Sequence, residues 1–171
     1  MPVRVRPVTL WRVEVDNQPG ALARTLEPLA AAKVDLQVVM GYRLPDDHRR
    51  AAIEVAPISG ARGTSAAAAA GLHEAAISAL RIEGDNRPGL GYAIARVLGE
   101  AGINADFVLG QVIGNRHTTV IGFESREDAA RAIPLITRAA AAPRKPAARK
   151  AARRSVRPSA KRARPATRRR R

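Results

Sequence analysis

Asp16, Asn17, Gln18, Pro19 and Gly20 form a five-residue turn that the chain writes again, 69 residues later, as Asp85, Asn86, Arg87, Pro88 and Gly89. Each copy combines groups that could hold a small charged molecule. The Asp and Asn side-chain oxygens suit an ammonium group. A helix beginning just after the turn would offer free N–H groups to an anion. The glycine lets the backbone approach a ligand closely. The same residues also carry a chain from strand to helix with no ligand, through Asx bonding and Pro-Gly. Both readings stay open at this level.

Other chemistry is sparse. The chain has no cysteine, which excludes disulfides, thiolate catalysis and Cys-based zinc sites. His48, His73 and His117 stand apart from one another in sequence. His48 and His117 fall in expected hairpin turns and read as solvated loop histidines, whereas a metal site needs clustered partners. Asp46 and Asp47 are a turn signal before they are an acid–base pair. Ser59, Ser65 and Ser125 have no nucleophile context. Gly84, Gly89 and Gly91 lack the G-x-G-x-x-G spacing, and no GK[ST] follows them, so they read as turn and packing glycines. No catalytic constellation, metal or cofactor is expected, and the chain reads as a non-enzyme.

The turns belong to a longer repeat. Residues 8–41 laid over 77–110 without a gap keep 10 identities in 34 positions, among them Arg12/Arg81, Glu14/Glu83, Leu29/Leu98, Val39/Val108 and Gly41/Gly110. A repeat defines the folding unit, and here it sets one unit over 1–76 and a second over 77–138. Within each, residues 9–15 and their counterparts alternate like a half-buried strand. The turn follows, with proline at the expected helix start, where its missing N–H costs nothing. Leu22, Leu26 and Leu29, or Leu90, Ile94 and Leu98, then recur at helical spacing. Pro28 and Gly99 weaken these two helices. Second strands are expected over 34–41 and 103–110, and third strands over 51–57 and 118–123. A closing helix over 125–136 opens with Ser125 three residues before Asp128, a capping-box arrangement. The order β-α-β-β-α, twice, is the split βαβ, ferredoxin-like pattern of an α+β protein. A fourth strand has little room: either a piece such as 132–137 serves, or it is lost and paired units cover the edges.

A strand, then Asn86 to Gly89, then "LGYAIARVLGEAGIN" over 90–104, then a strand, resembles an ACT domain, the small amino-acid-sensing module. The resemblance covers roughly 8–136 as two tandem copies. It implies a regulatory protein without catalytic activity of its own. It also implies an effector amino acid held between paired domains by the first turn and the start of the second strand. By position, the site residues implied are Asp85, Asn86, Pro88, Gly89 and Asn104, with weaker equivalents at Asp16, Asn17, Pro19, Gly20 and Asp35. The first copy departs from the pattern, with Gln18 for Arg87 and "KVD" (33–35) for "GIN" (102–104), so the second is the expected site. An α-amino acid fits the groups of the turn, since its carboxylate and ammonium lie a short distance apart. Pairing of ACT copies further implies a homo-oligomer, a dimer in the simplest case.

The formal charge of +15 belongs almost entirely to one end. Of the 30 Lys and Arg, 14 lie between Pro143 and Arg171 with no acid among them; the first 142 residues carry 16 against all 15 acids, a net of about +1. Residues 139–171, rich in Ala, Pro, Lys and Arg, read as a disordered tail. In composition this tail resembles those of histone-H1-like proteins. Arg144, Lys145, Arg149, Lys150, Arg153, Arg154, Lys161, Arg162, Arg168 and Arg169 could bind phosphate backbones through counterion release, with no aromatic to stack on bases. A solubilising extension, or one that docks an acidic protein, is the other reading of such a charge block. The alternative function is therefore a DNA- or RNA-associated protein whose repeated domains are a dimerising scaffold. The start of the chain has no apolar run of secretory length and no stretch approaches a membrane span, so a cytoplasmic protein without membrane contact is expected.

Overall fold

The computed structural model describes residues 3–141. Within them lie β1 (Arg4–Val8), β2 (Trp11–Asp16), α1 (Ala21–Ala31), β3 (Val38–Arg43), β4 (Arg50–Ala56), α2 (Gly60–Ala69), β5 (His73–Glu74), β6 (Ser78–Asp85), α3 (Leu90–Glu100), β7 (Phe107–Ile113), β8 (Arg116–Phe123) and α4 (Arg126–Ala141). The fold is α+β, with two four-stranded antiparallel sheets in the orders β3-β4-β2-β5 and β1-β6-β8-β7. Each sheet follows the ferredoxin-like arrangement, with the two strands that flank the first helix separated by the third.

Both fourth strands exist, and neither is the expected piece. Residues 132–137 lie inside α4. The first sheet is completed by the two-residue β5 against β2. The second is completed from the chain's beginning: β1 pairs antiparallel with β6, Val5 opposite Ile82. Sheet pairing thus crosses the division drawn at 76/77. The run V-R-V-R-P-V (3–8) alternates as an edge strand should. Val3 and Val5 pack on the helix-covered core, and Pro7 is tolerated because one side of an edge strand has no ladder to feed. Helix α4 runs through Ala141, so residues 139–141, read as tail, are helical.

Helices α1 and α2 cover one face of the first sheet around Leu29, Ile53, Val55 and Ala67. Helices α3 and α4 cover one face of the second around Leu80, Ile82, Ile94, Ile121 and Ile136. The alternate residues of the strands point to the opposite faces. There Leu10, Val38 and Ala56 meet Ala79 and Val120, so the two sheets join through the faces that carry no helices. The fully buried carboxylate of Glu54 lies on that same face of the first sheet; its Oε1 accepts from Arg12 Nη1 (2.9 Å) and from the Tyr42 hydroxyl (2.8 Å).

The second strands begin about four residues later than the periodicity predicts. Their expected first residues are spent closing the helices. Lys33 and Gly102 adopt left-handed backbone (φ 59° and 67°), and the N–H groups of Val34 and Ile103 donate to Leu29 and Leu98 carbonyls in the six-to-one bond of a Schellman motif. The capping arrangement at α4 is present: Asp128 N–H donates to Ser125 Oγ (3.0 Å).

Candidate functional site

The duplicated turn is a type II turn leading into a helix. Ala21 N–H donates to Gln18 O (3.1 Å) and Leu90 N–H to Arg87 O (3.2 Å). Gly20 and Gly89 sit at φ 84° and 81°, the third position of that turn, where a side chain is disfavoured. The prolines therefore occupy the second turn position, and the helices start two residues beyond them. Each turn is also tied to the neighbouring hairpin: Asn17 N–H donates to Arg49 O and Asn86 N–H to Asn115 O, both at 2.7 Å. Neither helix has a side-chain cap.

Around the second turn, α3 and β7 border a cavity of about 540 Å³. Asn86, Gly89 and Asn104 line it, so three of the five residues expected in the second copy come together there. Asp85 and Pro88 shape the turn without entering the wall. The equivalent cavity of the first copy, between α1 and β3, is smaller, about 370 Å³; Asn17 and Gly20 line it, Pro19 and Asp35 do not, and Asp16 instead borders two open hollows on the other sides of the turn. Asn17 Nδ2 is already committed to His48 O (2.9 Å). The tail residues proposed for polyanions, Arg144 to Arg169, lie outside the described residues.

The difference between the two cavities is written in side-chain size. On α3, Gly91, Ala95 and Gly99 line the cavity at four-residue spacing; the repeat places Leu22, Leu26 and Ala30 at these positions of α1. A Cβ added at Gly91 or Gly99 would meet nothing within 4 Å. On the sheet, Gly84 and His117 face each other where the first copy has Val15 and Ala51.

His117 is the residue that sequence reading missed. It is not in a solvated turn but in β8, 4% exposed, on the wall of the larger cavity. Its Nδ1 lies 3.3 Å from the Asp85 carbonyl, and its buried Nε2 has no hydrogen-bond partner among the described residues. A constant 69-residue offset aligns it with His48. The offset falls to 66 after the hairpin, where Asp16 pairs with Arg50 but Asp85 with Arg116, and this puts His117 in the place of Ala51. Arg87 was likewise only a departure in the repeat. Its Nη2 donates to Ala139 O (2.8 Å), fastening the turn to the last turn of α4.

Among the described residues no three His, Cys, Asp or Glu side chains gather as a metal site would require, and no helix is long and apolar enough to cross a membrane. No family model matches the chain, and none of the curated proteins matches it. Solved structures do match. The protein BT0572 of Bacteroides thetaiotaomicron superposes with a TM-score of 0.62 at 14% identity, over 76% of this chain and 88% of its own. The regulatory subunit of aspartate kinase from Thermus thermophilus, in its ligand-free form, gives 0.55 at 15% identity over 81% and 97%. The equivalent subunit from Thermus flavus gives 0.54 at 15% over the same shares. What these likenesses show is the fold: the chain has the ACT-like, ferredoxin-like architecture of aspartate kinase regulatory subunits.

Proposed function

We propose that the chain is a non-catalytic regulatory protein of two tandem ACT-like units that binds a small amino acid at the second turn. The observation that carries this reading is the gathering of Asn86, Gly89 and Asn104 on one cavity at an uncapped helix N-terminus. There the N–H groups and the positive end of the α3 dipole suit a carboxylate. Support for a homodimer comes from β7, an edge strand exposing Val108, Leu109, Val112 and Ile113. Such an edge is a template for a second chain. Val108 and Val112 also line the cavity, so pairing there would close it and place the effector between copies. An effector acts on a partner only through unequal affinity for its two states.

Thermal unfolding of the full chain against each of the twenty amino acids tests this. A ligand at 100 times its Kd adds about 2.7 kcal/mol of stability. The expected result is a shift with one or a few amino acids, lost in Asn86→Ala. No shift with any amino acid contradicts the reading.

A further inference from the structure

Resting on that reading of the site, we infer that His117 is the cavity's polar anchor and that the effector is an amino acid with an apolar side chain. The carboxylate takes the N-terminus of α3, the ammonium donates to His117 Nε2, and the side chain runs along the groove floored by Gly91, Ala95 and Gly99.

Three observations converge on this. The first is the imidazole. With Nδ1–H donating to the Asp85 carbonyl, Nε2 is the lone-pair side of the ring, and it is buried without a partner among the described residues. A buried polar atom without a partner is costly, and a ligand donor on Nε2 would remove that cost. An acceptor at that point favours an ammonium and disfavours a carboxylate. The second is the paired change between the copies. Small residues replace large ones at Gly91 and Ala95 on the helix, and on the facing strand His117 in place of Ala51, seated across from Gly84, sets the imidazole at the wall of the space so opened. The third is the lining itself. Leu90, Ile94, Leu98, Ile103, Val108 and Ile121 form its apolar part. Among the described residues Arg87 is the one charged side chain on the wall; its Nη2 donates to Ala139 O, and its buried Nε has no partner among them. Among the described residues no acidic side chain lines the cavity, so the side-chain cation of a Lys or Arg ligand, beyond reach of the imidazole acceptor, would lie unpaired against apolar walls.

The test is calorimetric titration of the full chain with valine, leucine, isoleucine, methionine and phenylalanine, beside serine, aspartate and lysine. The tightest apolar ligand is repeated as its analogue lacking the amino group, and with the His117→Leu and Gly91→Leu variants. Gly91→Leu restores the first copy's residue where a Cβ meets nothing within 4 Å, so it occupies the groove and keeps a fold if His117→Leu does not. The expected result is binding of apolar amino acids only. Loss of the amino group should weaken it about tenfold or more, the analogue should bind wild type and His117→Leu alike, and Gly91→Leu should abolish binding. Tighter binding of serine, aspartate or lysine overturns this inference and leaves the proposed function standing. Equal affinity of wild type and His117→Leu for the apolar ligand, or unimpaired binding by Gly91→Leu, also overturns it. Binding of no amino acid overturns both.

Discussion

Gly84 stands directly across the second sheet from His117, and a methyl group on residue 84 would lie 3.2 Å from the imidazole Cε1. The same methyl would come within 2.9 Å of Val3 Cγ2 and 3.2 Å of Val3 Cα. One missing side chain thus seats both the histidine and the strand that enters from the chain's start. Gly84→Ala is expected to destabilise the fold by about 1–3 kcal/mol, the range for overpacking a filled site. Urea unfolding checks it; an unchanged midpoint would show that neither neighbour depends on the glycine.

Gly122 makes the companion case on the other face of β8. A Cβ there would collide with the Phe107 ring and lie 2.9 Å from Ile77 Cγ2. Gly122→Ala should cost about 1–3 kcal/mol in denaturant unfolding. A neutral substitution would mean that Phe107 has room to turn away.

Lys33 holds the left-handed position at the end of α1 that Gly102 holds at the end of α3. A side chain in that conformation costs roughly 1–2 kcal/mol, partly offset by the greater freedom of glycine when unfolded. Lys33→Gly is therefore expected to raise stability by up to about 1 kcal/mol, read as a rise in Tm. A fall in Tm would show that the lysine side chain makes up for its backbone.

Tyr42 gives the pH dependence. Burial raises the pKa of its hydroxyl above the ordinary value, and the hydrogen bond to Glu54 and that carboxylate's charge add to the rise, against Arg12. Because the folded value lies above the unfolded one, near 10, the contribution is complete below about pH 10 and is lost as pH climbs through the folded value. Stability should fall faster above pH 10 in wild type than in Tyr42→Phe. Identical alkaline slopes would place the loss on other groups.

The elements and their order were legible because local physics sets them. The ten shared residues, the alternation of Trp11 to Asp16 and the helical spacing of Leu90, Ile94 and Leu98 need no long-range knowledge. What escaped depends on partners distant in sequence. V-R-V-R-P-V is too short to declare its sheet until Ile82 is known to lie opposite Val5. The site divides in the same way. Asn86, Gly89 and Asn104 were visible as a repeated turn and a strand entry. His117 was not, because a shorter hairpin shifts the offset between copies, and only the register with Gly84 reveals what the imidazole replaces. Of the α3 glycines, Gly99 read as a helix weakener and Gly91 as a turn or packing glycine, since the value of both lies in the space they leave.

The central claim is that the second turn, and not the first, is where a ligand binds. Mapping backbone amide chemical shifts of the full chain during titration with an amino acid reads this most directly. The account predicts shifts concentrated at Asn86–Tyr92, Asn104 and Thr119, with Asn17–Ala23 unmoved. Shifts centred on the first turn, or none at saturating amino acid, would contradict it.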